Sequence, residues 1–150
     1  MTREIKFRGK RLDNGEWVTG SLLIIEDTYF IIKQVDFDFN YRTEENAFWF
    51  DCTKQEVNPK TVGQFTGLLD VNGKEIYEGD IVDFGLNAVV KYHPFLCSFI
   101  LDCDNKEPHF NDSYSELGYM KKQCEKFGVV GSIHDNPELL HSNTKNIGKN

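Results

Sequence analysis

The sequence predicts a mainly β protein: an N-terminal meander, then a small barrel, and one late α-helix. Three observations carry that prediction. Short runs of β-branched and aromatic residues alternate with polar ones between Gly- and Asn-bearing turns, which is the period-2 pattern of half-buried strands. The stretch from Pro59 to Phe84, PKTVGQFTGLLDVNGKEIYEGDIVDF, holds the densest turn chemistry in the chain. One segment, Ser113 to Phe127, repeats apolar residues at helical spacing instead.

In chain order, Ile5, Phe7 and Gly9 alternate with Lys6, Arg8 and Lys10, so the first strand has one apolar and one basic face. Asp13-Asn14-Gly15-Glu16 turns the chain into Trp17 to Ile25, and Glu26-Asp27 turns it again into Thr28 to Lys33. Gln34 to Asn46 mixes acids and aromatics without a period and reads as an exposed loop. Ala47 to Thr53 is expected as a short aromatic strand, and Asn58-Pro59-Lys60 as a turn. Asn72-Gly73 then predicts a type I′ hairpin, since that turn needs φ > 0 at both central residues and these two tolerate it best. A second turn at Glu78-Gly79-Asp80 relies on a left-handed Gly79. Gly63 and Gly67, set among strand residues, suggest the bulges or corners of a small barrel. Strands follow at Ile81 to Phe84, Ala88 to Tyr92 and Ser98 to Leu101, with Asp102 to Asp112 as a loop.

Ser113 with Glu116 fits a capping box, and Leu117, Met120, Cys124 and Phe127 continue at helical spacing until Gly128 stops the helix. Val129 to His134 is the last strand. Pro137 opens a short helical turn through Leu140, and the tail from 141 to 150 is polar. The expected organisation is one domain over 1–140, with an N-terminal β half at 1–57 and a barrel half at about 58–136.

Composition sets limits on function. A chain of 150 residues can bury a real core, and its 13% aromatic share, including twelve Phe, fits a packed interior or a sticky surface better than disorder. The formal net charge of −7 works against wrapping a nucleic-acid backbone, where affinity comes from Lys and Arg. No apolar run is long enough to span a bilayer and the N-terminus lacks a signal-peptide core, so the expectation is a cytoplasmic protein with no membrane partner. Cys52, Cys97, Cys103 and Cys124 show no CxxC spacing and are read as small hydrophobes.

Three blocks together resemble the YopX family of phage and prophage proteins: Arg3 to Leu23, REIKFRGKRLDNGEWVTGSLL; Pro59 to Val82, PKTVGQFTGLLDVNGKEIYEGDIV; and Val129 to Leu140, VVGSIHDNPELL. Ser132 stands where the family more usually has Asn. The resemblance implies an SH3-like β-barrel over about 59–136, and it implies no activity and no active site. Gln34 to Thr53 and Asp102 to Lys126 fall outside the matching blocks.

Candidate sites follow from residue chemistry. His93, Cys97, Cys103 and His109 are the one cluster resembling zinc ligands, but their spacing fits no standard module, so no metal is expected. Asp70, Glu75, Glu78, Asp80 and Asp83 are the densest acids. Asp80 and Asp83 flank turns and strand ends, where carboxylates normally face water, and Asp80 is expected to bond backbone amides of its own turn. His134-Asp135 has no nucleophile beside it in a recognisable motif. Neither GxGxxG nor GxxxxGK occurs, so no phosphate-cradling loop and no cofactor is expected. The reading is therefore a non-enzymatic module that binds another protein, possible as a homo-oligomer, with Phe37, Phe39, Tyr41, Phe48, Trp49 and Phe50 as the candidate interface. The alternative is nucleic-acid binding through Lys6, Arg8, Lys10 and Arg11, with Trp17 or Tyr29 stacking a base if they share that face.

Overall fold

Phe7–Lys10 (β1), Trp17–Ile25 (β2) and Thr28–Ile32 (β3) form the expected meander in a computed structural model that describes residues 4–33, 54–83, 85–102 and 127–145. Phe7 pairs with Gly20 and Lys10 with Trp17, while Ser21 pairs with Ile32 and Ile25 with Thr28, all antiparallel. That register puts Phe7, Val18, Leu22, Tyr29 and Ile31 on one face, where they pack with Val57 and Val62. Lys54–Glu56 (β4) pairs with β3. Its continuation is fixed by Val57 N–H donating to the Tyr29 carbonyl at 2.9 Å and Asn58 N–H donating to the Lys10 carbonyl at 2.8 Å. The expected turn at Asn58 is a 3-10 turn over Pro59–Thr61, capped by the Asn58 side chain.

The chain separates into two compact units, Met1–Gln64 and Phe65–Asn150, and Gly63–Leu69 (β5) runs across the division. In the first unit Gln64 pairs with Phe7. In the second unit Phe65 pairs with Tyr77 of Glu75–Tyr77 (β6). The register slips between Phe65 and Leu69 at Gly67, whose φ is 86°, so the bulge expected at that glycine is present.

The remaining strands of the second unit are Asp80–Asp83 (β7), Asn87–His93 (β8), Ser98–Asp102 (β9) and Gly128–Ser132 (β10), in the antiparallel order β10-β7-β8-β9. One face of this sheet, through Val82, Ala88, Val90 and Phe99, packs on Ile76, Phe127 and Leu68. Ile81 and Val89 are on the other face and are also buried, and the 3-10 segment Pro137–Lys145 is held near it by Asn87 Nδ2 donating to the Leu139 carbonyl at 2.8 Å. Expected as a four-residue turn, that segment is longer than its sequence suggested.

Three expectations change. Among the described residues the strands form two open antiparallel sheets and do not close into a barrel over 59–136. The β5–β6 hairpin reaches the β7–β10 sheet through side-chain packing and isolated backbone bonds, such as Gly79 N–H to the Val90 carbonyl at 2.8 Å, rather than through a ladder. The Asn72-Gly73 hairpin exists, but only Gly73 has φ > 0 (77°), so the turn is not type I′. Asp70 explains the difference. Its Oδ1 accepts from the N–H groups of Asn72 (2.8 Å) and Lys74 (2.9 Å), which holds Asn72 right-handed and leaves Gly73 as the single left-handed residue of a type I turn with a bulge. The third change concerns Asp80, which is buried rather than facing water. The strand expected at Ala47 to Thr53 and the helix expected from Ser113 to Phe127 lie outside the described residues, save Phe127 itself, which is a core residue.

Candidate basic and aromatic face

The alternation of β1 separates its side chains as the sequence predicts. Gly9 faces Val57 so closely that a Cβ would sit 2.9 Å from the Val57 Cβ, and Arg8 and Lys10 point the other way. Trp17, paired across from Lys10, shares their face: the Arg8 guanidinium carbon is 4.6 Å and the Lys10 ammonium 5.4 Å from its ring centroid. Lys54 similarly lies 5.6 Å from the centroid of Phe30. Each such contact is worth about 0.5–1 kcal/mol at an exposed site. Tyr29 packs with the core on the opposite face, so of the two candidate stacking residues only Trp17 joins the cations.

Chemically, the Trp17 ring is already engaged by the protein's own cations, and a nucleobase stacking there must displace them. Lys6 pairs with Glu4 at 3.1 Å, and Arg11 turns aside to Asp13, with Nε donating to Oδ1 at 2.9 Å. The side-chain bond from Arg11 holds the Asp13 carboxyl below its ordinary value. Beside β1 and β2 lies a groove of about 730 Å³ lined by Glu4, Lys6, Thr19, Gly20, Ser21 and Lys33.

Asp70, Asp80 and Asp83 accept from backbone N–H groups, and Glu75 and Asp135 from side-chain hydroxyls. Asp70, 6% exposed, takes its third N–H from Val129 through Oδ2 at 2.9 Å. Burial pushes its carboxyl up; the N–H donors of Val129, Lys74 and Asn72 and the charge of Lys74 outweigh that, leaving it below its ordinary value of 3.8. Asp80, 1% exposed, accepts from the Tyr77 N–H at 2.8 Å, closing the turn whose Gly79 has φ 85°. Glu75 accepts from the Tyr77 hydroxyl at 2.7 Å, and Asp83 from the Gly85 N–H at 2.8 Å. Asp135 accepts from the Ser132 hydroxyl at 3.1 Å, where Ser132 closes a local turn.

Among the described residues no group of three metal-ligating side chains converges. His93 accepts from the Leu96 N–H at 3.3 Å and Cys97 donates to the Pro94 carbonyl, while Cys103 and His109 lie outside the described residues. Phe37, Phe39, Tyr41, Phe48, Trp49 and Phe50 also lie outside them. No helix among the described residues is long and apolar enough to cross a membrane.

Sequence reasoning placed the turn between β8 and β9 but missed Phe95 in it. Phe95 there is 90% exposed, between half-exposed Tyr92 and Leu96, and its ring contacts His93 at 6.1 Å. The signal was present as an aromatic directly after His93-Pro94, where the strand stops.

Among the described residues the sheets are all antiparallel, Asp70 and Asp80 accept from backbone N–H groups around their own turns, and Arg8 and Lys10 gather on Trp17. The family model described as YopX protein matches residues 6–141, and the chain belongs to that family. A crystal structure of protein EF1440 from Enterococcus faecalis is similar at 23% identity, covering 93% of this chain and 99% of that one, with a TM-score of 0.48. No curated protein matches.

Proposed function

We propose that this chain is a phage or prophage accessory protein of the bacterial cytoplasm that acts by binding another protein and catalyses no reaction. The observation carrying this reading is Phe95: leaving so large an apolar side chain 90% exposed forgoes most of the roughly 1.5–3 kcal/mol its burial is worth, and a partner surface recovers that. The hairpin acids support it, because Asp70 and Asp80 are engaged with backbone N–H groups and Glu75 with the Tyr77 hydroxyl. The SH3-like arrangement of about 59–136 belongs to the same reading, with the β5–β6 hairpin packed on β7 and β8 as its basis. Cross-linking with mass spectrometry, run with sedimentation analysis of the purified chain, tests it. A discrete partner or self-association weakened at least tenfold by Phe95→Ser is the expected outcome; a monomer with no partner sinks the proposal.

A second reading has one observation of its own, the gathering of Arg8, Lys10 and Trp17 on one face. Nucleic acid bound there predicts a salt-sensitive mobility shift that a Lys6/Arg8/Lys10→Ala variant abolishes, and no shift at low salt ends it.

A further inference from the structure

We propose that the groove beside β1 and β2 binds a phosphate group, held by Lys6 and Lys33 with the hydroxyls of Thr19 and Ser21. The site is independent of Phe95 and shares only Lys6 with the nucleic-acid reading.

The groove is lined by two lysines, a threonine and a serine against one acidic residue, Glu4. Four donors suit a phosphate, which presents at least three strong acceptor oxygens and close to two negative charges, better than a carboxylate with two oxygens and one charge. Glu4 is one partner of Lys6, at 3.1 Å, and its side chain is 57% exposed, so solvent screens the pair. That pair is weak enough for a phosphate to displace. The Lys6 side chain is 18% exposed, so most of its stem is packed.

Gly20 fixes the geometry of the groove. A Cβ there would stand 2.0 Å from the Ile32 carbonyl oxygen and 3.2 Å from the Lys33 Cα, so the absent side chain lets Lys33 come directly against β2. Thr19 and Ser21 flank that contact on either side. The donors thus come from three backbone segments, of which two belong to the paired strands β2 and β3 or directly follow them, and this pre-positioning reduces the cost of ordering them around a ligand. The volume of about 730 Å³ admits a phosphate together with the group that carries it.

The test is an NMR titration of the full chain with inorganic phosphate and with pyrophosphate at constant ionic strength, followed at the amides of Thr19, Gly20, Ser21 and Lys33. Saturable shifts are expected. Lys33→Gln and Lys6→Gln each weaken binding by roughly tenfold, and Glu4→Gln tightens it. Shifts that fail to saturate, or that survive both lysine substitutions, overturn the proposal. A competing single-stranded oligonucleotide separates the sources of the phosphate: displacement of pyrophosphate with a steep salt dependence identifies backbone phosphates, and absence of displacement identifies a free phosphorylated ligand. Phe95→Ser leaves the titration unchanged, which keeps this result distinct from the protein-binding test.

Discussion

Individual glycines show how differently one residue type can be constrained. Gly15 has φ 72° and open space around its missing Cβ, whereas at Gly20 a Cβ would stand 2.0 Å from backbone oxygen. Conformation alone limits the first position; hard contact with a neighbouring strand limits the second. Gly15→Ala is expected to lower stability by about 1 kcal/mol, the usual cost of a left-handed L-residue. Gly20→Ala is expected to cost more than about 3 kcal/mol, because β2 and β3 must separate to admit the methyl group. Paired denaturant unfolding curves check both, and equal losses would refute the distinction. Nothing in the local sequence around Gly20 marks it as the more sensitive, since the neighbour that excludes a side chain is twelve residues away.

At the scale of elements, the hairpin of the second unit turns on one side chain. Asp70 holds three backbone N–H groups, two in its own turn and one at Val129 in β10, so a single carboxylate shapes the turn and ties two elements together. Asp70→Asn keeps the size but replaces one acceptor oxygen with a donor, leaving buried N–H groups unmet. A loss of about 2–3 kcal/mol is expected in thermal or denaturant unfolding. Asn72→Ala, in contrast, is expected to cost under about 1 kcal/mol, because Asn72 is not left-handed here. A type I′ turn at Asn72-Gly73 demands the opposite ranking, so the pair of variants decides between the two turns. The hairpin itself was readable from Asn72-Gly73 between apolar runs. Its turn type was not, because the competing acceptor is a carboxylate whose burial depends on β10, 59 residues away.

For the whole molecule, the Asp70 carboxyl also sets a pH dependence. Its folded value lies below the ordinary 3.8, so its contribution is fully present above 3.8 and is lost as pH falls through the lower folded value. Unfolding followed from neutral pH to below 3.8 is expected to show a steeper acid-side decline in the wild-type chain than in Asp70→Asn. Parallel curves would remove Asp70 from that account. Phe95→Ser is expected to change stability by no more than about 0.5 kcal/mol at any of these pH values, since its side chain is in water already.

By itself, the amino-acid sequence determined the mainly β class, the N-terminal meander, the left-handed Gly79, the bulge at Gly67 and the two faces of β1. Each depends on residues within one strand or one turn, where period-2 alternation and glycine's freedom at φ > 0 act locally. Only the tertiary structure decided that Arg8 and Lys10 lie against Trp17, that Gly20 touches the Ile32 carbonyl, that Asp70 reaches Val129 and that Phe95 stands in solvent. Those outcomes depend on cross-strand register and on packing between segments distant in the chain, and a buried carboxylate or an exposed aromatic is defined by what surrounds it rather than by its neighbours in sequence.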